Sequence, residues 1–176
     1  MKTRSKLIAA KDLHLKAIDE KDIDILADIL LHPEVGQSYM LPDFKKRDDA
    51  LLLAHRLKDI SKDENRFLYG IYDSDELLGI INETEKNDEE IELGYVINPL
   101  KKNRGYATLA LDASIKELFK VGYKSVKTGA FEENHASIRV MEKCNMTRLD
   151  EYEYVEYRGI NHRCVMFKIF SEGKND

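Results

Sequence analysis

Between Arg66 and Ile97 the chain reads as three strands in immediate succession, which commits its middle to an antiparallel sheet. Arg66–Tyr72 and Glu76–Glu83 are separated only by Asp73-Ser74-Asp75, and Glu89–Ile97 follows after Lys86-Asn87-Asp88. Polar turns this short join neighbouring strands. Before them the pattern is helical. Ile23, Leu26, Ala27 and Leu30 form one apolar stripe, with Asp19 or Asp22 as its cap and Pro33 as its end. Ala50, Leu53, Ala54 and Leu57 do the same in a helix over Asp48–Ser61. Between these helices Gly36–Lys46 reads as a loop.

After Pro99 a helix opens at about Asn103–Gly105, presents Leu111, Ile115, Leu118 and Phe119 to the core, and ends at Gly122. A strand over Lys124–Ala130 follows, then a helix over Asn134–Cys144 with Ser137, Val140, Met141 and Cys144 on one side. Arg148–Tyr157 and Arg163–Phe170 close the chain as a hairpin around Arg158-Gly159-Ile160-Asn161. With Leu13–Ile18 as a short first strand, the expectation is an α+β domain: a mixed, mostly antiparallel sheet of about seven strands flanked by about four helices. The 176 residues suit a single domain, 1–176. Residues 1–11 are basic and are expected to form a partly mobile arm.

Composition removes several classes of function. With 43% apolar and 35% charged residues the chain is globular and well solvated. Its net charge of −5 lacks the basic excess a nucleic-acid binder needs. It is compatible with a cationic amine drawn to an acidic cleft. No apolar run approaches the ~20 residues of a membrane span. The two cysteines, Cys144 and Cys164, are not in a CxxC spacing, and the five histidines are scattered. Neither a disulfide framework nor a metal site is expected, and a reduced, cytoplasmic compartment is the simplest setting.

The chemistry concentrates in Glu90–Leu111, EIELGYVINPLKKNRGYATLAL. A strand ends, a basic loop follows, and a helix starts at a glycine. Free backbone N–H groups and the positive helix end then converge on one point. Lys101, Lys102 and Arg104 add charge, Gly105 and Ala107 allow close approach, and Thr108 offers a hydroxyl. The result suits a pyrophosphate. A basic surface loop ahead of a helix would look the same. No GxxxxGK[ST] or GxGxxG pattern is present.

At these residues the sequence resembles the GNAT superfamily of N-acetyltransferases. The family's signature is Gln or Arg, two residues, Gly, one residue, then Gly or Ala; here it reads Lys102-Asn103-Arg104-Gly105-Tyr106-Ala107. Lys102 departs from the first position but keeps a long donor side chain. Asn134-His135-Ala136-Ser137-Ile138-Arg139-Val140-Met141-Glu142-Lys143-Cys144 resembles the family's second block. The pair is most similar to the branch of ribosomal-protein N-terminal acetyltransferases. The resemblance implies acetyl-CoA as co-substrate, held by Lys102 through Thr108 with Asn134. It also implies a small-molecule or peptide amine as acceptor; a homodimer is compatible with the sequence. Asn145-Met146 replaces the Gly-Phe that often closes the second block. Met141 stands where many relatives carry the Tyr that protonates the CoA thiolate.

An amine attacks a thioester only as the free base, so a proton acceptor is needed. Glu92 is the candidate, on the strand leading into the loop; the alternative is a solvated strand carboxylate. The N–H groups of Val96 or Ile97 are candidates to polarise the thioester carbonyl. Ser137 could donate to the sulfur or simply pack its helix. Tyr39, Met40, Leu41 and Phe44 either line the acceptor pocket or pack on one another. Tyr152, Tyr154 and Tyr157 read as strand-surface residues. The competing function is a CoA-binding sensor that has lost turnover, an idea that rests on Met141.

Overall fold

The computed structural model describes residues 2–172. In chain order it contains β1 (Leu7–Ala10), β2 (Leu13–Lys16), α1 (Ile23–Leu31), α2 (Pro33–Ser38), α3 (Arg47–Ser61), β3 (Leu68–Asp73), β4 (Glu76–Lys86), β5 (Glu90–Ile97), α4 (Tyr106–Lys120), β6 (Ser125–Phe131), α5 (His135–Lys143), β7 (Thr147–Tyr157) and β8 (Ile160–Phe170). The strands form one sheet in the order β1-β2-β3-β4-β5-β6-β8-β7. Every pairing is antiparallel except that of β5 with β6. The mixed, mostly antiparallel α+β architecture agrees with the sequence pattern, with one strand and one helix more than expected.

The extra strand comes from the basic arm. Leu7–Ala10 pairs with Leu13–Lys16 through a turn in which Lys11 takes φ 55°, a conformation that a lysine rarely adopts. Ahead of it, Arg4 is buried. Its guanidinium donates to the carbonyls of Arg66 (2.5 Å) and Ser61 (2.6 Å) and lies 3.9 Å from the Tyr69 ring centre. Ser5 donates its amide to Glu117 (2.7 Å). A buried cation is tolerable when its donors are met in this way.

The extra helix comes from Pro33. It does end α1, but as a first-turn residue it also opens α2. Asp22 precedes α1 without capping it; its carboxylate instead accepts from the Tyr72 hydroxyl at 2.9 Å. Tyr157 is another correction. Its hydroxyl donates to the Gly36 carbonyl at 2.8 Å, tying the β7–β8 hairpin to α2, whereas Tyr152 and Tyr154 are exposed.

Strand alternation divides the core between the two sheet faces. Tyr69, Ile71, Ile91 and Leu93 pack with α4 and α5. Leu68, Tyr72, Ile80 and Val96 pack with α1 and α3. Each fully buried aliphatic side chain contributes about 1.5–3 kcal/mol.

One irregularity in the sheet positions everything that follows. β6 pairs with β5 only from Glu90 to Leu93, opposite Ser125 to Thr128. β5 then continues beside β4 alone, and β6 beside β8 alone. At the parting point the buried Thr128 hydroxyl donates to the Leu93 carbonyl at 2.8 Å, satisfying the acceptor left by the interrupted ladder.

Candidate functional site

The strands part into a cleft of about 600 Å³, walled by the end of β5, the loop and first turn of α4, the start of α5, and α2. Of the residues selected from sequence, Val96 and Ile97 line it from β5. Lys102, Asn103 and Arg104 line it from the loop, followed by Gly105, Tyr106, Ala107 and Thr108 at the start of α4. Asn134 and Ser137 close it from α5. Glu92 is not part of this lining.

The loop end of the cleft is cationic. Gly105 caps α4 with φ 79°, and a Cβ there would meet nothing within 4 Å. The glycine is therefore required by the turn, and open space lies in front of it. The first helical bond runs from the Leu109 amide to the Gly105 carbonyl, so the first-turn N–H groups have no helical partner. Lys101 is paired with Glu76 at 2.7 Å, and Lys102 with Glu34 of α2. Arg139 and Lys143 of α5 add two cations. Open cradle, unpartnered amides and clustered cations fit the phosphates of a CoA ester.

At α5, Asn134 caps the helix by accepting from the Ser137 amide, and its side-chain amide donates to the Ser137 hydroxyl, both at 3.2 Å. Met141 is fully buried and does not reach the cleft. Cys144 is buried too, and burial pushes its thiol up to about 11.

Glu92 sits on the sheet face shared by Gly94 and Val96. It accepts from the Thr84 hydroxyl at 3.1 Å and lies 3.6 Å from the Lys127 ammonium. Burial raises its pKa; Lys127 and Thr84 oppose the shift, and Glu153 and Glu85 reinforce it. A Cβ on Gly94 would lie 3.2 Å from Thr84 and 3.5 Å from Tyr39. Since Tyr39 lines the cleft, this bare stretch of β5 connects Glu92 to it. Tyr39 donates to Asn82 at 2.6 Å, and burial pushes its hydroxyl up to about 12. Its loop neighbours behave differently: Leu41 and Phe44 pack into the core and Met40 is exposed.

Sequence reasoning missed Glu34, Val35 and Ser38, because Pro33 masks α2. It also missed Tyr95, whose alternation with Leu93 reads as plain core. Arg139 and Lys143 were findable: they stand four apart on the helix that carries Asn134 and Ser137.

Residues 12–147 match the family model of the acetyltransferase (GNAT) domain. The chain belongs to the GNAT acetyltransferases. It is thereby an acyl-CoA-dependent N-acetyltransferase with acetyl-CoA as co-substrate. No curated protein matches the chain. Solved GNAT structures share its fold. An acetyltransferase from Bacillus anthracis superposes with TM-score 0.79 at 22% identity, over 93% of this chain and 98% of that one. RimL, a ribosomal L7/L12 alpha-N-protein acetyltransferase in complex with coenzyme A, gives 0.81 at 18%, over 93% and 97%. A Salmonella typhimurium acetyltransferase that modifies the N-terminal serine of the 50S subunit protein L7/L12 gives 0.78 at 17%, over 94% and 99%. Among the described residues of this GNAT chain, no helix is long and apolar enough to cross a membrane.

Proposed function

We propose that the enzyme acetylates a primary amine, the N-terminus of a peptide or protein, by direct attack within a ternary complex. The observation that carries this reading is the parting of β5 from β6 beside the glycine-initiated α4. It opens a strand edge and a helix N-terminus onto one cleft. The peptide acceptor is supported by the likeness to the two ribosomal-protein enzymes, which act on protein N-termini.

Each role follows from position. Lys102, Arg104 and the first-turn amides of Tyr106, Ala107 and Thr108 hold the phosphates, with Asn103 and Gly105 shaping the turn and Asn134 flanking it. Acetyl-CoA, when bound, supplies a thioester carbonyl to the reaction. The edge of β5 offers that carbonyl the N–H of Ile97, whereas Val96, beside it, turns its N–H and carbonyl toward β4. Glu92 takes the amine proton through water along the bare stretch at Gly94; its raised pKa makes it a better base than an ordinary carboxylate. Cys144, buried and protonated, is not an acyl carrier.

The test is thiol release from acetyl-CoA with a panel of peptides bearing different N-terminal residues, alongside amino acids and polyamines. Acetylation of peptide α-amines above the others supports the reading. CoA binding without thiol release from any amine would establish the sensor alternative instead.

A further inference from the structure

Met141 leaves the departing thiolate without the tyrosine that many GNAT relatives supply, and its side chain is sealed in the core. The cleft nevertheless contains a tyrosine on a different element. Tyr95 follows the point where β5 leaves β6, and its ring spans from the strand to α5. Its hydroxyl reaches the Ser137 carbonyl at 3.4 Å, the outer limit of a hydrogen bond. Other hydroxyls on the cleft wall are more firmly engaged: Tyr39 donates to Asn82 at 2.6 Å, Tyr106 to Asp73 at 3.0 Å, and Ser38 to the Glu34 carbonyl at 3.2 Å. Thr108 stands in the first turn of α4, at the cationic end.

We propose that Tyr95 is the hydrogen-bond donor to the CoA sulfur as the thioester breaks. The inference rests on the acetyl-transfer reading above. Tyr95 stands two residues before Ile97, whose N–H lies on the β5 edge that β6 leaves, so the phenol and that N–H come from one strand. In the step, the amine lone pair forms the N–C bond while the C–S bond breaks and its electron pair stays on sulfur. The amine proton leaves toward Glu92. Tyr95 keeps its own proton, and the thiolate is protonated later by solvent. Burial holds the Tyr95 phenol well above its ordinary pKa. It therefore acts by stabilising the thiolate and not by surrendering a proton. Ser137 positions Tyr95 through its backbone carbonyl; its hydroxyl accepts from Asn134 and keeps its own proton, which makes it the competing donor that the test separates.

The test compares binding of CoA with binding of desulfo-CoA, by calorimetry, between about pH 6 and pH 10. The wild-type protein, Tyr95→Phe and Ser137→Ala are each measured. Cys144, whose charge would act on Tyr95, is itself pushed up to about 11 by burial. The loop cations Lys102 and Arg104, with Arg139 and Lys143 of α5, act on both ligands alike. The wild type is expected to favour CoA over desulfo-CoA by about tenfold once the thiol ionises near ~8.5. Tyr95→Phe is expected to lose that preference and keep its affinity for desulfo-CoA. In turnover the same variant is expected to lose about tenfold or more in kcat with KM for acetyl-CoA unchanged. An unaltered CoA preference in Tyr95→Phe, or its loss in Ser137→Ala alone, would overturn the proposal. The bound thiol in wild-type protein, followed by thiolate absorbance, gives a test without substitution: a pKa not below that of free CoA also overturns it. Failure of wild type to bind either ligand would instead overturn the functional reading.

Discussion

A Cβ placed on Gly79 would lie 2.0 Å from the carbonyl oxygen of Val96, across the β4–β5 pair. The obstacle is backbone, so no rotamer change relieves it. Gly79→Ala must push β5 away at the residues that form the cleft wall. A loss of about 3 kcal/mol is expected, the upper range for overpacking. KM for acetyl-CoA should rise in whatever remains folded. Denaturant unfolding measures the first and steady-state kinetics the second.

Gly105→Val tests the cradle. The site has room for a side chain but holds φ 79°, which costs a β-branched residue about 1–2 kcal/mol. The added methyl groups would occupy the space facing the first-turn amides. The dissociation constant for CoA should rise more than about tenfold while the protein remains folded. Gly105→Asn, better tolerated in this conformation, should cost less stability. Unchanged CoA affinity in folded Gly105→Val would refute the assignment.

For Glu92, burial raises the pKa above the ordinary 4.5 despite Lys127 and Thr84. A carboxylate shifted this way favours folding while protonated, and that contribution is lost as pH rises through the folded value. Glu92→Gln should therefore melt at or above the wild-type temperature at neutral pH, and the difference should close on acidification toward pH 4.5. Its kcat/KM should fall about a hundredfold at neutral pH and recover as pH rises past the ~8 of a peptide α-amine. A uniform loss at every pH would argue for a structural role.

Cys144→Ala should keep most of its activity, with initial-rate patterns of a ternary complex. The thiol is buried and raised to about 11, so the nucleophilic thiolate is scarce at neutral pH. Parallel-line kinetics, or an acetyl group trapped on Cys144 without acceptor, would overturn direct transfer.

The cationic end of the cleft was legible because its residues are contiguous: Lys102 to Thr108 form one strand-loop-helix passage, and local rules suffice. Asn134 and Ser137 were legible for the same reason, on one helix turn. Tyr95 was not, because its neighbour Leu93 is a core residue and alternation cannot reveal that β6 departs between them. α2 was obscured because proline both stops one helix and starts another. β1 was lost because Lys11-Asp12 carries none of the usual hairpin chemistry. Glu92 shows the reverse limit: its face was readable, but its distance from the cleft depends on Gly94, Thr84 and Tyr39 meeting in space.

The buried Arg4 has a consequence for how the chain is made. Its carbonyl partners belong to residues 61–66, and Ser5 awaits Glu117, 112 residues later. At about 5–20 residues per second of synthesis, the N-terminal segment waits several seconds for its last partner. Arg4 and Ser5 are therefore fixed only after segments made well behind them are in place. Until α4 has emerged, the guanidinium and the β1–β2 ribbon have only part of the surface on which they finally dock.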